Sequence, residues 1–205
     1  IADENSGKSL RVLSESDEEG WLDNHGQIRF LKDGKIVWVS EKSGFKHIWI
    51  AKHTGSYTWP ITEGNFEVSK IIHIDESREI IYFMANKESV FENRFYSIKY
   101  DGTDMKLLTV EEGNHNIRLT GSKSYFIDTY SSTKTPKVIA LKKMESGELV
   151  RIIGKTKIDQ FINYDWSFPN LISFNSRDKT VALNGYMILP PNYDSDQKYP
   201  VIVNG

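Results

Sequence analysis

The sequence predicts an all-β fold built from repeated four-stranded sheets. Three observations predict it. Apolar and polar residues alternate with a period of two in short runs; turn residues separate the runs; and the same order of four runs returns at intervals of roughly 40 to 50 residues. Aromatic residues make up 12% of the chain and sit mostly in runs with valine and isoleucine, as they do in strands. No stretch keeps the i, i+3, i+4, i+7 spacing of an amphipathic helix for more than about two turns.

In the first copy, Gln27 to Leu31, Lys35 to Ser40 and His47 to Ala51 are three strands joined by tight turns at Lys32-Asp33-Gly34 and Lys42-Ser43-Gly44. A fourth run, Tyr57 to Thr62, contains Pro60, which has no N–H to give to a ladder and so belongs on a sheet edge. The break Glu63-Gly64-Asn65 follows. The second copy runs through Val68 to Ile74, Glu79 to Met84, Arg94 to Lys99 and Met105 to Thr109, and closes on Glu112-Gly113-Asn114. The third comprises Ile117 to Leu119, Ser124 to Asp128, Pro136 to Leu141 and Leu149 to Ile153, with turns at Gly121-Ser122 and Ser146-Gly147.

The spacings agree: Trp38 to Tyr82 is 44 positions, Tyr82 to Tyr125 is 43, and the two Glu-Gly-Asn triplets lie 49 apart. Four strands per copy at that period is the pattern of β-propeller blades, each a twisted sheet that buries its faces against neighbouring copies. The chain holds about three to four blades of a larger propeller; the three copies do not close a ring, since propellers take about four to eight. More blades are therefore expected before Ile1, and Ser9 to Leu13 reads as an outer strand of a blade begun upstream.

The pattern changes at Asp165. Leu171 to Ser176, a turn at Arg177-Asp178-Lys179 and Leu183 to Leu189 form a strand pair, followed by Pro190-Pro191 and a polar loop. Tyr199 to Gly205 is apolar enough to be a strand buried on both faces. The expected division is a partial propeller over 1–165 and a linker with the opening strands of a different sheet over 166–205.

Several function classes are excluded or disfavoured. The 26 basic and 28 acidic residues are spread evenly, so there is no basic face for nucleic acid. No apolar run approaches the roughly 18 residues of a spanning helix, and the first residues lack the charged and apolar regions of a signal peptide. With no cysteine there are no disulfides or thiolate zinc sites. His47, His53, His73 and His115 show no i, i+4 pairing, so no metal and no cofactor is expected. Asp33-Gly34 and Asp101-Gly102 lack the ligand series of a calcium loop and read as hairpin turns. Ser43 and Ser122 read as turn residues, and Trp38, Trp49, Tyr82, Tyr96 and Tyr125, recurring at blade spacing, as packing between blades.

The tail carries a resemblance. Gly185-Tyr-Met-Ile-Leu-Pro190, a short Asp/Lys loop and Lys198-Tyr-Pro-Val201 resemble the entry to the α/β-hydrolase domain in the prolyl oligopeptidase family. Upstream, Glu18-Glu-Gly-Trp-Leu-Asp23, Phe30 to Gly34 and Ser40 to His47 are similar to the propeller of that family's dipeptidyl-peptidase IV branch. The resemblance implies an eight-bladed propeller ahead of an α/β-hydrolase domain, in a serine exopeptidase that removes N-terminal dipeptides with proline or alanine second. It also implies a periplasmic or extracellular bacterial enzyme that can form a homodimer. The family's nucleophile sits in a Gly-x-Ser-x-Gly elbow, and none occurs here. The catalytic triad is therefore expected outside this chain, as is the oxyanion-hole tyrosine, at the first position after Gly205. The acidic pairs Glu18-Glu19 and Glu111-Glu112 fit turns, and the family's role of anchoring the substrate's amino terminus is not carried to them.

By the same resemblance, Trp21, Asn24 and His25 lie on a loop that reaches toward the peptide cavity, making them the candidate substrate-binding residues. On residue type alone, Trp21 equally fits a core aromatic and His25 a solvated loop histidine. A propeller that binds proteins or peptides without chemistry, and a related tripeptidyl or acylaminoacyl peptidase, are the competing readings. The tail beyond Asn170 speaks against the first, and only the upstream blades separate the second.

Overall fold

The structure, a computed structural model, describes residues 2, 5–16, 27–52, 57–158 and 165–204. Every regular element among them is a β-strand. Strands β1 (Ile28–Phe30), β2 (Ile36–Ser40), β3 (His47–Ala51) and β4 (Thr58–Pro60) form one antiparallel sheet in the order β1-β2-β3-β4. Strands β5 (Val68–Asp75), β6 (Ile80–Ala85), β7 (Arg94–Lys99) and β8 (Lys106–Leu107) form a second. Strands β9 (Asn114–Leu119), β10 (Tyr125–Ser131), β11 (Val138–Lys143) and β12 (Leu149–Lys155) form a third. Strands β13 (Asn170–Asn175) and β14 (Ala182–Met187) pair only with each other. Three consecutive meanders of four strands are three propeller blades.

The elements fall where the alternation predicts them, and turn chemistry explains where they stop. Gly34 (φ 82°), Gly44 (φ 94°) and Gly102 (φ 79°) occupy left-handed positions in tight turns. Asp101 locks its own turn by accepting from the Thr103 N–H at 2.9 Å and hydroxyl at 2.6 Å. Pro60 ends β4, an edge strand, opposite Trp49.

Alternation in each strand sends successive side chains to opposite neighbours. Val37, Val39, Ile48 and Ile50 of the first blade meet Ile81, Phe83, Tyr96 and Ile98 of the second in one core cluster. The other face of the second blade presents Tyr82, Met84 and Phe95 to Phe126 and Met144 of the third. Polar groups also cross the first seam. The Gln27 side chain donates to Ser69 O at 3.1 Å and accepts from Ile71 N at 2.9 Å. Glu76 accepts from Lys32 N at 2.7 Å, and Trp59 Nε1 donates to Tyr100 O at 3.1 Å.

The first two blades share a local device. After β4 and β8, Thr62 and Thr109 turn their hydroxyls inward, where they accept from the backbone N–H of Ile48 and Phe95, each at 3.0 Å and buried. Valine at position 109 would keep the shape and orphan the Phe95 N–H. We expect Thr109→Val to lose about 1–2 kcal/mol of stability, read as a lower denaturant midpoint at unchanged slope.

Three expectations need correction. Tyr125 is 39% exposed, while Phe126 beside it is fully buried. Like Tyr82, Tyr125 lies on the side of its sheet that faces away from the preceding blade, and no other described blade covers that side of the third sheet. Ser9 to Leu13 forms no strand: Ser9 makes a single bridge to Ala2, and Val12 and Leu13 lie over Ile36, Trp38 and Ala51. Residues 199–204 are not a buried strand either, and Val201, Ile202 and Val203 are 82%, 96% and 87% exposed. A strand buried on both faces needs neighbours on each side, and β13 and β14 satisfy only each other.

Candidate functional site

The turn ends of the blades surround a cleft of about 560 Å³, lined by His73, Asp75, Arg78 and Tyr82 of the second blade, by Lys123 and Glu145 of the third and by Lys32 of the first. It lies on one end of the sheets because β5–β6, β9–β10 and β11–β12 all turn there.

Each charged group is held by local chemistry. Asp75 sits at the end of β5 and accepts from the Ser77 hydroxyl at 2.6 Å and from the N–H groups of Ser77 and Arg78 at 3.1 and 3.2 Å. The Ser77 hydroxyl bond holds its carboxyl below the usual carboxylate range, with the backbone bonds and Arg78 assisting against partial burial. Lys123, at the tip of the β9–β10 turn, adopts φ 56°.

His73 stacks on Tyr82, with ring centroids 6.1 Å apart and planes 14° apart. Burial is the larger cause that pushes its pKa down, the Lys123 charge adds to it, and Asp75 opposes both. A histidine depressed in the folded state stabilises the fold above the free value of about 6.5 and loses that contribution as pH falls. We expect Lys123→Ala to move the His73 titration upward yet leave it below the ordinary value, because burial remains. NMR titration of the ring carbon proton checks this.

The cleft offers both signs of charge, hydroxyls and one neutral imidazole. It offers no nucleophile poised against a base: among the described residues His73 makes no hydrogen bond to Ser122 or Ser124. Ser122 caps its own turn, approaching the Thr120 hydroxyl and the Ser124 N–H. Among the described residues Ser43 likewise reaches Phe45 O alone, at 3.4 Å. Among the described residues no group of three or more His, Asp or Glu could hold a metal ion. The chemistry available here is recognition, by hydrogen bonds and charge.

Trp21, Asn24 and His25, the substrate-side residues expected from the sequence, lie outside the described residues. Sequence reasoning missed the cleft because its lining comes from turns of three separate repeats, with no contiguous motif. It also missed Glu111, read as a turn residue, which is ion-paired with buried Lys142.

Comparison with known proteins gives one answer throughout. The sequence family described as the dipeptidyl peptidase IV N-terminal region matches residues 1–137. A probable dipeptidyl peptidase 4 of Aspergillus flavus is 25% identical over 213 residues, covering 98% of this chain and 28% of the relative. Dipeptidyl peptidase 4 of Trichophyton equinum is 27% identical over 205 residues, covering 95% and 26%. Among solved structures, dipeptidyl peptidase 4 of Porphyromonas gingivalis superposes with a TM-score of 0.79 at 24% identity, over 89% of this chain and 26% of that one. A putative dipeptidyl aminopeptidase IV of Bacteroides ovatus gives 0.72 at 21%, over 84% and 27%. At these identities the structural likeness concerns the fold. The chain spans about a quarter of the length of these relatives.

Proposed function

The chain belongs to the dipeptidyl peptidase IV N-terminal region family, and from that premise we propose that it walls and gates the substrate cavity of a dipeptidyl-peptidase IV-like serine exopeptidase. The observation that carries the reading is the order of elements. Three four-stranded blades lead into a separate hairpin, β13–β14, then Pro190-Pro191, a polar loop and an apolar end, and the family match runs through the first two blades and into the third. In this reading the blades exclude large folded substrates by geometry, the triad is supplied from outside the chain, and residues 166–205 enter the α/β-hydrolase domain. Substrates are peptides with proline or alanine second, approached by Trp21, Asn24 and His25. Export to the periplasm or cell exterior, and a homodimer, complete the proposal.

Membership of the family supports a peptidase over a propeller that only binds. No helix among the described residues is long and apolar enough to cross a membrane. The test is hydrolysis of a glycyl-prolyl chromogenic substrate by the full-length protein and by this 205-residue chain side by side. Cleavage by the full-length protein alone is expected. Absence of cleavage by both would remove the assignment.

A further inference from the structure

Among the described residues two histidines are buried, and their hydrogen bonds demand different protonation. His47 places Nε2 2.9 Å from Gly64 O, a group that only accepts, so Nε2 carries a proton. Its Nδ1 lies 3.0 Å from the Thr62 hydroxyl, which can donate to it while accepting from Ile48 N. A neutral ring satisfies every partner.

His115 has no such freedom. Its Nε2 faces Glu111 O at 2.9 Å, and its Nδ1 faces both carboxylate oxygens of Asp128, at 2.9 and 3.0 Å. A neutral ring would set a lone pair against one of these acceptors. Charge counting gives the same result. Lys142 Nζ is 3.0 Å from Asp128 Oδ2 and also pairs with Glu111. One cation against two carboxylates leaves a surplus negative charge beside the fully buried His115 and Asp128 side chains and the nearly buried Lys142, with only Glu111, 31% exposed, open to water. An unbalanced charge in such a place is costly. A charged ring makes it two and two. The remaining neighbours agree: the Tyr130 ring stacks on His115 at 5.1 Å and lies 5.4 Å from Lys142 Nζ, a face that attracts cations. On the β7 side Arg94 is already balanced by Glu92.

We propose that the folded protein holds His115 as a buried imidazolium, and that with Asp128, Lys142 and Glu111 it forms an ionic clasp latching the third blade onto the chain leaving the second. The backbone joins in, since His115 N donates to Asn93 O at 3.0 Å. The seam it closes is short of apolar contact. The first seam has fifteen buried hydrophobic residues in its cluster and the second has six. Loss of the clasp therefore opens the second seam ahead of the first.

Nitrogen NMR of the full-length protein labelled at histidine tests the charge directly, with His115→Gln identifying the signal. Two protonated ring nitrogens on His115 and one on His47 are expected; an unprotonated nitrogen on His115 overturns the proposal. Hydrogen exchange in Asp128→Asn tests the latch. Exchange at residues 115–119 should quicken roughly tenfold or more, with β2 and β3 unchanged. An equal rise throughout, or none at 115–119, overturns it.

Discussion

Phe95→Ala should destabilise the protein by about 3–5 kcal/mol, the largest loss expected from any single side chain of the second seam. Phe95 is fully buried on β7, meets Phe126 of the third blade edge-on at 5.1 Å, and lies 6.1 Å from Tyr82 of its own sheet. It is the aromatic that joins the two blades, and six buried hydrophobic residues are too few to collapse around the cavity it would leave. The neighbouring clasp cannot compensate, because its groups are fixed by charge and hydrogen bonds. Equilibrium unfolding in urea should show a lower midpoint with unchanged slope. A loss below about 1 kcal/mol would mean that the seam repacks.

That the blades meet through alternate strand faces was legible from the pattern. Val37 and Val39 against Trp38, or Ile81 and Phe83 against Tyr82, already separate two faces by period alone. The repeat, the edge role of Pro60 and the hairpin beyond Asn170 were equally legible, since each depends on a local rule about donors, turns or alternation. What escaped depends on residues far apart in the chain. Lys142 follows Val138 and Ala140 on one face of β11, so alternation alone sends a lysine into the core. Its partners Asp128 and Glu111 lie on β10 and before β9, the latter 31 residues away, and nothing local announces them. The cleft is illegible for the same reason. Phase within a strand is a third case: Trp38 and Tyr82 share the blade spacing, yet Trp38 lies on the side away from the second blade while Tyr82 faces the third, because one residue decides which side of a sheet an aromatic occupies.

The Glu-Gly-Asn triplets show how far a repeat can be trusted, and they give the second large prediction. Gly64 and Gly113 share φ 124°, a backbone region that side chains rarely enter, so the sequence repeat is also a conformational one. Their surroundings differ. A Cβ on Gly64 would stand 3.3 Å from the Phe66 ring, a contact that a small ring movement relieves. A Cβ on Gly113 would stand 2.3 Å from Ser131 O and 2.7 Å from its carbonyl carbon. That backbone belongs to the end of β10, where Ser131 pairs with Asn114, so the alanine has to push apart the two strands it joins. Both alanine variants pay the strain of the φ value, about 1–3 kcal/mol. Gly113→Ala should reach at least the upper end of that range and Gly64→Ala the lower. Thermal unfolding of the two variants side by side checks the order. Equal losses would mean that the β9–β10 pairing yields as easily as a side chain, and that the start of the third blade is not fixed by its ladder.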